Sequence, residues 1–330
     1  ASSLPDAQGD GAVPVTAPLT GVILNPRSHR NQAALPEIPS GKGILCVVPR
    51  SKPELESALA DFARQGIELL AIGGGDGTVR DVLTRAAPVF GERWPALALL
   101  PKGKTNALAL DLGVPAKWSL DNALAAYRDG RMVVRRPLVI KRLDSEQRRR
   151  LGFILGAGAF NTAIEAGQVA HKAGAFQNLA VGVTALVGAA QALFGFGGNP
   201  WRRIAPIDLR TGTGQTPLRH SGHGDPGGRY FTTFSSLTTF PPGIQPFRRT
   251  DTSGGINYLI IDAPLRRAVA LLPAAALGYD WPVMDRLGLL PGSGDELGIG
   301  LTDKFILDGE TFAAGSYRVS LGPHLRFVVP

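Results

Sequence analysis

The residues best placed to do chemistry are Gly73-Gly74-Gly75-Asp76-Gly77-Thr78, which follow the apolar run Ile67 to Ile72 and precede a helical stretch. Glycines let the backbone turn tightly and aim several N–H groups at one concave point, a geometry that suits a polyphosphate. The start of the next helix adds the positive end of a dipole, and Thr78 adds a hydroxyl donor. Asp76 is the odd member, because a carboxylate repels phosphates. It requires either a Mg²⁺ ion to offset its charge or an incoming hydroxyl for which it serves as base. The Walker pattern GxxxxGK[ST] is absent. A second loop, Pro101-Lys102-Gly103-Lys104-Thr105-Asn106, stands in the equivalent place after Ala96 to Leu100. Gly103, Thr105 and Asn106 bring a turn, a hydroxyl and an amide to another helix start. Lys104 adds a flexible point charge able to reach β- or γ-phosphate oxygens. Two such loops on adjacent units are more specific than either alone.

The elements that position these loops alternate between strand and helix. Leu19 to Leu24 reads as a strand ending at the turn Asn25-Pro26, and Ile44 to Val48 as a second. Ser51 and Glu54 have capping-box spacing around Pro53 and open a helix to Gln65, with Gly66 as its stop. Ile67 to Ile72 and Ala96 to Leu100 are the third and fourth strands, each leading into a loop and a helix; Ser119 caps a further helix to about Arg128. Such alternation implies a parallel sheet with chemistry at its strand ends. From Met132 the texture changes to β-like runs: Met132 to Arg142, Leu151 to Leu155, Tyr230 to Thr239, Ile256 to Ile261, Lys304 to Leu307 and Tyr317 to Leu321. These predict a mostly antiparallel second domain, interrupted by helices over Thr162 to His171 and Leu179 to Phe194. Thr211 to Gly228, rich in Gly, Thr, Pro and His, reads as a long loop. The late Asp308-Gly309-Glu310 follows an apolar strand, an acid-Gly-acid turn that exposes two carboxylates at a strand end.

A chain of 330 residues exceeds what one core usually serves, so two domains are expected. The formal charge of +8 favours anionic partners such as nucleotide phosphates or acidic lipids. Aromatic residues are sparse at 7% and no nucleic-acid-binding motif appears, which ranks nucleic acid last. The single cysteine, Cys46, excludes a disulfide framework and reads as a small buried hydrophobe. Residues 1–20 are Pro/Gly/Ala-rich without an apolar core and read as a flexible lead-in rather than a signal peptide.

In order along the chain, four blocks resemble those of the diacylglycerol kinase catalytic superfamily, which includes bacterial lipid kinases, sphingosine kinases and ceramide kinases. They are Asn25-Pro26; Gly74 to Thr78; Pro101 to Asn106 with Ala109 and Leu112-Gly113-Val114-Pro115; and Gly156-Ala157-Gly158-Ala159-Phe160 with Asp308-Gly309-Glu310. The resemblance implies an α/β fold: a Rossmann-like domain over residues 19–131, shaped like NAD kinases and phosphofructokinases, then a mostly antiparallel β-sandwich domain over 132–330 whose last residues are free to pack back on the first. It implies an ATP-dependent lipid kinase that uses Mg²⁺ with the nucleotide. ATP would be held by Asn25, Pro26, Gly73 to Gly75, Gly77, Thr78 and Gly103 to Asn106, with no separate metal-binding residues. Asp76, Asp308 and Glu310 are the candidate catalytic carboxylates. The implied partner is a lipid substrate at a membrane surface, with a homodimer left open, in the cytoplasm or at the inner membrane face.

Three departures bear on that expectation. His29 stands where the family has Gly, Lys104 replaces the usual Thr, and Asp251 lacks the second acid, at Gly254, that holds a structural Mg²⁺ in many bacterial relatives. Two other functions compete: an NAD-kinase-like enzyme, which shares the GGDGT block, and a lipid-binding module of the same fold without catalysis. His220 and His223 have the spacing of a weak metal pair but no third ligand. The run Arg131 to Arg150 holds eight Lys/Arg against two acids and reads as a solvated face or a contact for acidic lipid. Leu179 to Phe196 is long and apolar enough to suggest a membrane span, yet a single crossing would part the GGDGT and DGE blocks. It therefore reads as a helix of the second domain. Beside it, Phe176, Phe194, Phe196, Trp201, Arg202 and Arg203 are candidates to dip into an anionic interface.

Overall fold

Strands covered on both faces read as continuous apolar runs, and three such runs in the first third are buried along their whole length. They are β1 (Thr20–Leu24), β3 (Leu69–Gly74) and β4 (Ala96–Pro101), joined at the edge by β2 (Ile44–Val47). A computed structural model describes residues 17–28, 43–146, 149–172, 191, 199–241, 243–248 and 254–330. β1 pairs in parallel with β2 and β3, and β3 with β4. The helices α1 (Lys52–Gln65), α2 (Asp76–Phe90), α3 (Ala107–Asp111) and α4 (Leu120–Arg128) alternate with these strands. Capping follows the sequence. The Ser51 hydroxyl accepts from Glu54 N at 3.3 Å, Arg50 N donates back to Glu54 at 2.9 Å, and Gly66 ends α1 with φ of 69°. Cys46 corrects the expectation of burial: it is exposed, because β2 is the edge strand and its outer side is open.

The run Met132 to Arg142 divides at Arg136-Pro137. β5 (Met132–Arg135) joins the first sheet and β6 (Leu138–Arg142) a second one. Proline donates no hydrogen bond and cannot continue a ladder there. The first sheet is completed by β19 (Leu325–Val328), which lies between β4 and β5, parallel to the one and antiparallel to the other.

The remaining elements build two antiparallel sheets. After β6 come β7 (Arg150–Gly152), β8 (Ile154–Gly158), α5 (Ala159–Lys172), β9 (Ala205–Thr211), β10 (Thr216–Pro217), β11 (Gly228–Arg229), β12 (Phe231–Ser235) and β13 (Ile256–Ile261). Three short helices follow, α6 (Arg266–Ala270), α7 (Leu272–Ala276) and α8 (Pro282–Arg286). The chain then forms β14 (Leu289–Gly294), β15 (Glu296–Leu301), β16 (Phe305–Leu307), β17 (Glu310–Phe312) and β18 (Gly315–Leu321). One sheet runs β10-β9-β15-β18-β6-β7 and the other β14-β13-β12-β8-β16-β17. Their facing sides meet in an apolar core that includes Ile140, Leu209, Ile299 and Val319 from the first and Leu155, Phe234, Ile260 and Phe305 from the second. The observed fold is thus α/β followed by a β-rich unit, as the sequence predicts. The stretch read as a long loop, Thr211 to Gly228, instead holds β10 and the start of β11, both paired with β9. Most of Leu179 to Phe196, the lead-in before residue 17, His29 and Asp251 lie outside the described residues. Among the described residues no helix is long and apolar enough to cross a membrane.

Candidate active site

The GGDGT turn sits between β3 and α2, and its residues face two different places. Gly75, Gly77 and Thr78 line an open groove with Gly103 and Lys104 of the second loop. The two loops meet glycine to glycine: a Cβ on Gly103 would lie 2.5 Å from the Gly75 Cα, and one on Gly75 2.8 Å from the Gly103 Cα. No other residue type fits that approach. Asn25 fastens the first strand's loop to this turn by donating to the Thr78 hydroxyl at 2.8 Å, while its own Oδ1 accepts from Arg27 N at 2.9 Å. With its oxygen accepting from Asn25, the Thr78 hydroxyl has its proton left to give to a groove anion.

Several residues expected to bind the nucleotide work behind the groove rather than in it. Gly73 and Gly74 are buried strand residues, and a Cβ on Gly74 would strike the Thr78 side chain at 2.4 Å. Asn106 closes its own loop, accepting from Gly103 N at 2.9 Å and donating to Gly103 O at 3.0 Å, with φ of 50°. Pro26 shapes the turn after β1, and Thr105 is exposed. Arg27 and Ser28, which continue the Asn25-Pro26 block, also line the groove, as do Arg80 and Asp81, which no motif singled out. Arg80 was findable by spacing, since it lies one helical turn beyond Asp76.

Asp76 turns away from the groove into a small cavity that it shares with Asp308, walled by Val79, Leu108, Phe153 and Leu237. Burial pushes the Asp76 carboxyl up to about 6, against the pull of backbone N–H groups at Leu108, Ala107 and Asn106. Asp308 follows β16 with φ of 47° and accepts from Phe153 N at 3.0 and 3.1 Å and from Ile154 N at 2.9 Å. Burial raises it further, to about 7, and the nearby Asp76 charge adds to the rise; the Ile154 and Phe153 amides and Arg80 oppose it. Two carboxyls in one enclosure titrate as a pair, near neutrality.

Glu310 does not join them. Two residues past Asp308 it lies on β17, half-exposed, and pairs with the guanidinium of Arg80. Arg80 is itself buried and also donates to Leu307 O at 3.2 Å and Asp81 at 3.0 Å, which ties α2 to the acid-Gly-acid turn. Glu310 belongs to a separate concavity with Lys52, Arg85 and Arg150. The alternation of sides along the turn separates two acids that the sequence placed together.

One further residue was missed. Asp111, at the end of α3, is fully enclosed and accepts from Thr238 N and Oγ1, each at 2.9 Å, Thr239 N at 2.8 Å and Arg135 Nε at 2.7 Å. It anchors the loop that carries Leu237 against the carboxylate cavity. Several members of the basic run Arg131 to Arg150 are engaged within the chain. Arg135 goes to Asp111, Arg136 to Gly322 O at 2.9 Å, Arg142 to Asp144, and Arg150 stacks 4.5 Å above the Phe312 ring. The two loop histidines are satisfied locally, His220 by Gly222 N and Gly228 O, His223 by Arg286 O. Among the described residues no three His, Cys, Asp or Glu side chains gather as a metal site.

Residues 20–134 match the family model of the diacylglycerol kinase catalytic domain. The probable lipid kinases YegS of Salmonella heidelberg (strain SL476) and Salmonella agona (strain SL483) are each 34% identical over 111 residues, 32% of this chain and 36% of theirs. The chain thus spans about a third of the length of the curated relatives it matches. The crystal structure of a diacylglycerol kinase from Bacillus anthracis str. Sterne superposes with a TM-score of 0.63 at 14% identity, covering 94% of this chain and 96% of that one. A second structure from the same organism gives 0.67 at 13%, over 97% and 99%. At such identity the solved structures speak for the fold alone, and the family match covers the stretch that holds both loops. Residues 20–134 are thus similar to the diacylglycerol kinase catalytic domain, and the chain shares the fold of the solved diacylglycerol kinases.

Proposed function

We propose that this protein is an ATP-dependent kinase that transfers the γ-phosphate to a lipid hydroxyl of the diacylglycerol or sphingoid kind. One observation carries the reading: a single turn, Gly75 to Thr78, presents amides and a hydroxyl to a cationic groove on one side and Asp76 to an apolar-walled carboxyl pair on the other. The groove's donors, Gly77 and Thr78 with Arg27 and Lys104, match the charge of a triphosphate. The cavity walled by Phe153, Leu108 and Leu237 has room for about 10 Å³ and so houses the two carboxyls rather than the body of an acceptor. The named relatives are lipid kinases, which supports the choice of acceptor class.

In the reaction the acceptor oxygen forms a bond to the γ-phosphorus as the bond to the β-bridging oxygen breaks, and ADP leaves. The hydroxyl proton passes to a carboxylate. We assign this role to Asp308, which two backbone amides hold in place and whose pKa of about 7 suits a base at neutral pH. Mg²⁺ in phosphoryl-transfer sites is held by one or two carboxylates together with phosphate oxygens. Asp76 and Asp308 already accept backbone N–H groups, and among the described residues no third acid joins them, so Mg²⁺ would come to the groove with the nucleotide and neutralise phosphate charge there. Glu310 acts through Arg80, which it orients toward the groove.

Transfer from labelled ATP to diacylglycerol, a sphingoid base and NAD, measured side by side, tests the reading. Phosphorylation of a lipid is expected. Transfer to NAD alone would place the protein with NAD kinases, and lipid binding without any ATP turnover would make it a binding module.

A further inference from the structure

The three short helices α6 to α8 close one end of the sheet β14-β13-β12-β8-β16-β17. Ala268, Ala275 and Met284 turn inward to a shared apolar cluster. Their outer side carries large hydrophobic residues in solvent: Leu277 at 59% exposure, Tyr279 at 42%, Trp281 at 40% and Val283 at 46%. These are four of the seven large hydrophobic side chains most exposed among the described residues, and they fall within seven consecutive positions. The rings of Tyr279 and Trp281 lie side by side, centroids 5.3 Å apart. Such a concentration marks an interaction surface.

Charge selects the occupant. Arg248 abuts the knuckle: a Cβ on Gly278 would lie 2.9 Å from the Arg248 Cβ. Arg266, Arg267 and Arg286 are exposed on the same helices. The acids there are Asp280 and Asp285, and Asp285 already pairs with Arg219 at 2.5 Å. Tyr and Trp with a hydrocarbon neighbour, and an excess of exposed arginines over acids on the same elements, suit the headgroup layer of an anionic membrane.

The knuckle is joined to the active site by a short piece of chain. Leu237 walls the carboxylate cavity, Thr238 and Thr239 are clasped by Asp111, and Phe240 stacks edge-on against Phe247 at 5.5 Å. Gln245 and Arg248 then pack against Gly278.

We infer that the Leu277–Val283 knuckle docks this protein on anionic phospholipid membranes and so holds the carboxylate cavity beside the bilayer. The inference rests on the lipid-kinase reading only for its purpose; the docking itself does not need catalysis. Sedimentation with phosphatidylcholine vesicles, with and without phosphatidylglycerol, tests it. Wild-type protein is expected to bind the anionic vesicles and release at high salt. Leu277→Ala combined with Trp281→Ala should weaken binding at least about tenfold while transfer to a short-chain, water-dispersed acceptor persists. Arg248→Gln with Arg286→Gln should reduce the salt dependence and the preference for phosphatidylglycerol. Because all four side chains are exposed, these variants should keep the wild-type melting temperature. Unchanged vesicle binding by the apolar double variant overturns the inference. So does a wild-type dimer that becomes monomeric on that substitution, since the knuckle would then cover a second copy. Knuckle-dependent binding by a protein that phosphorylates no acceptor would leave the docking surface standing and refute the kinase reading instead.

Discussion

The groove and the cavity lie back to back across one turn, yet they differ in every physical respect. The groove is open, cationic and made largely of backbone and flexible ends, with Lys104 exposed at its rim. The cavity is small and walled by Leu108, Phe153 and Leu237, and its two carboxyls are buried. Anion binding tolerates water and gains from many weak donors. Proton transfer needs a carboxyl whose pKa has been moved, and here desolvation and a like charge move it upward. The pairing of residue types along Gly75-Asp76-Gly77-Thr78 therefore delivers two environments from four positions.

If that division is real, Asp308→Asn and Asp76→Asn should each lower transfer by on the order of 10²-fold or more while ATP binding stays near wild type. Equal loss of nucleotide affinity and turnover would mean the two places are one. The pH dependence is the next largest effect. Transfer should rise as pH climbs through about 6 and 7, the values of the carboxyl pair, and then level. Stability should move the other way. Both folded values lie above the ordinary 3.8, so the pair favours the fold fully below that pH, and its contribution is lost as pH rises through 6 and 7. Thermal melts of Asp308→Asn should accordingly show a gain over wild type at pH 8 that vanishes at pH 4. On the groove side, Lys104→Ala should raise the KM for ATP by roughly fivefold with kcat little changed, the signature of a screened point charge. Glu310→Gln should be the mildest, about threefold or less in either constant, because a half-exposed partner of Arg80 contributes little. A collapse of kcat in Glu310→Gln matching that of Asp308→Asn would move the base to the other carboxylate.

The alternation of strand and helix in the first third was legible because β1, β3 and β4 are buried on both faces and α1 and α4 carry their own caps at Ser51 and Ser119. The loops were legible because glycines crowd where backbones touch. Side-chain direction was not. Nothing in Asp308-Gly309-Glu310 says that the first acid turns to Phe153 N and the second to Arg80; that follows from the left-handed φ at Asp308 and the pairing of β16 with β17. β9 was readable from Ala205, Ile207 and Leu209 alternating with exposed Pro206, Asp208 and Arg210, although Pro206 argues against a strand on local grounds. Asp111 was invisible for another reason: its four donors come from a loop more than a hundred residues away and from Arg135.

The strand β19 sits inside the first sheet, between β4 and β5, though nearly two hundred residues of chain separate it from β5. On a ribosome, the nucleotide-side sheet must therefore wait with a gap in it until almost the whole described chain has emerged. The sandwich, whose strands are all made before Leu325, can close first. A segment cut to residues 20–134 would leave the facing edges of β4 and β5 without the strand that joins them, both ready to recruit strands from other molecules. The last strand thus works as a latch that makes completion of the first sheet conditional on synthesis of the sandwich.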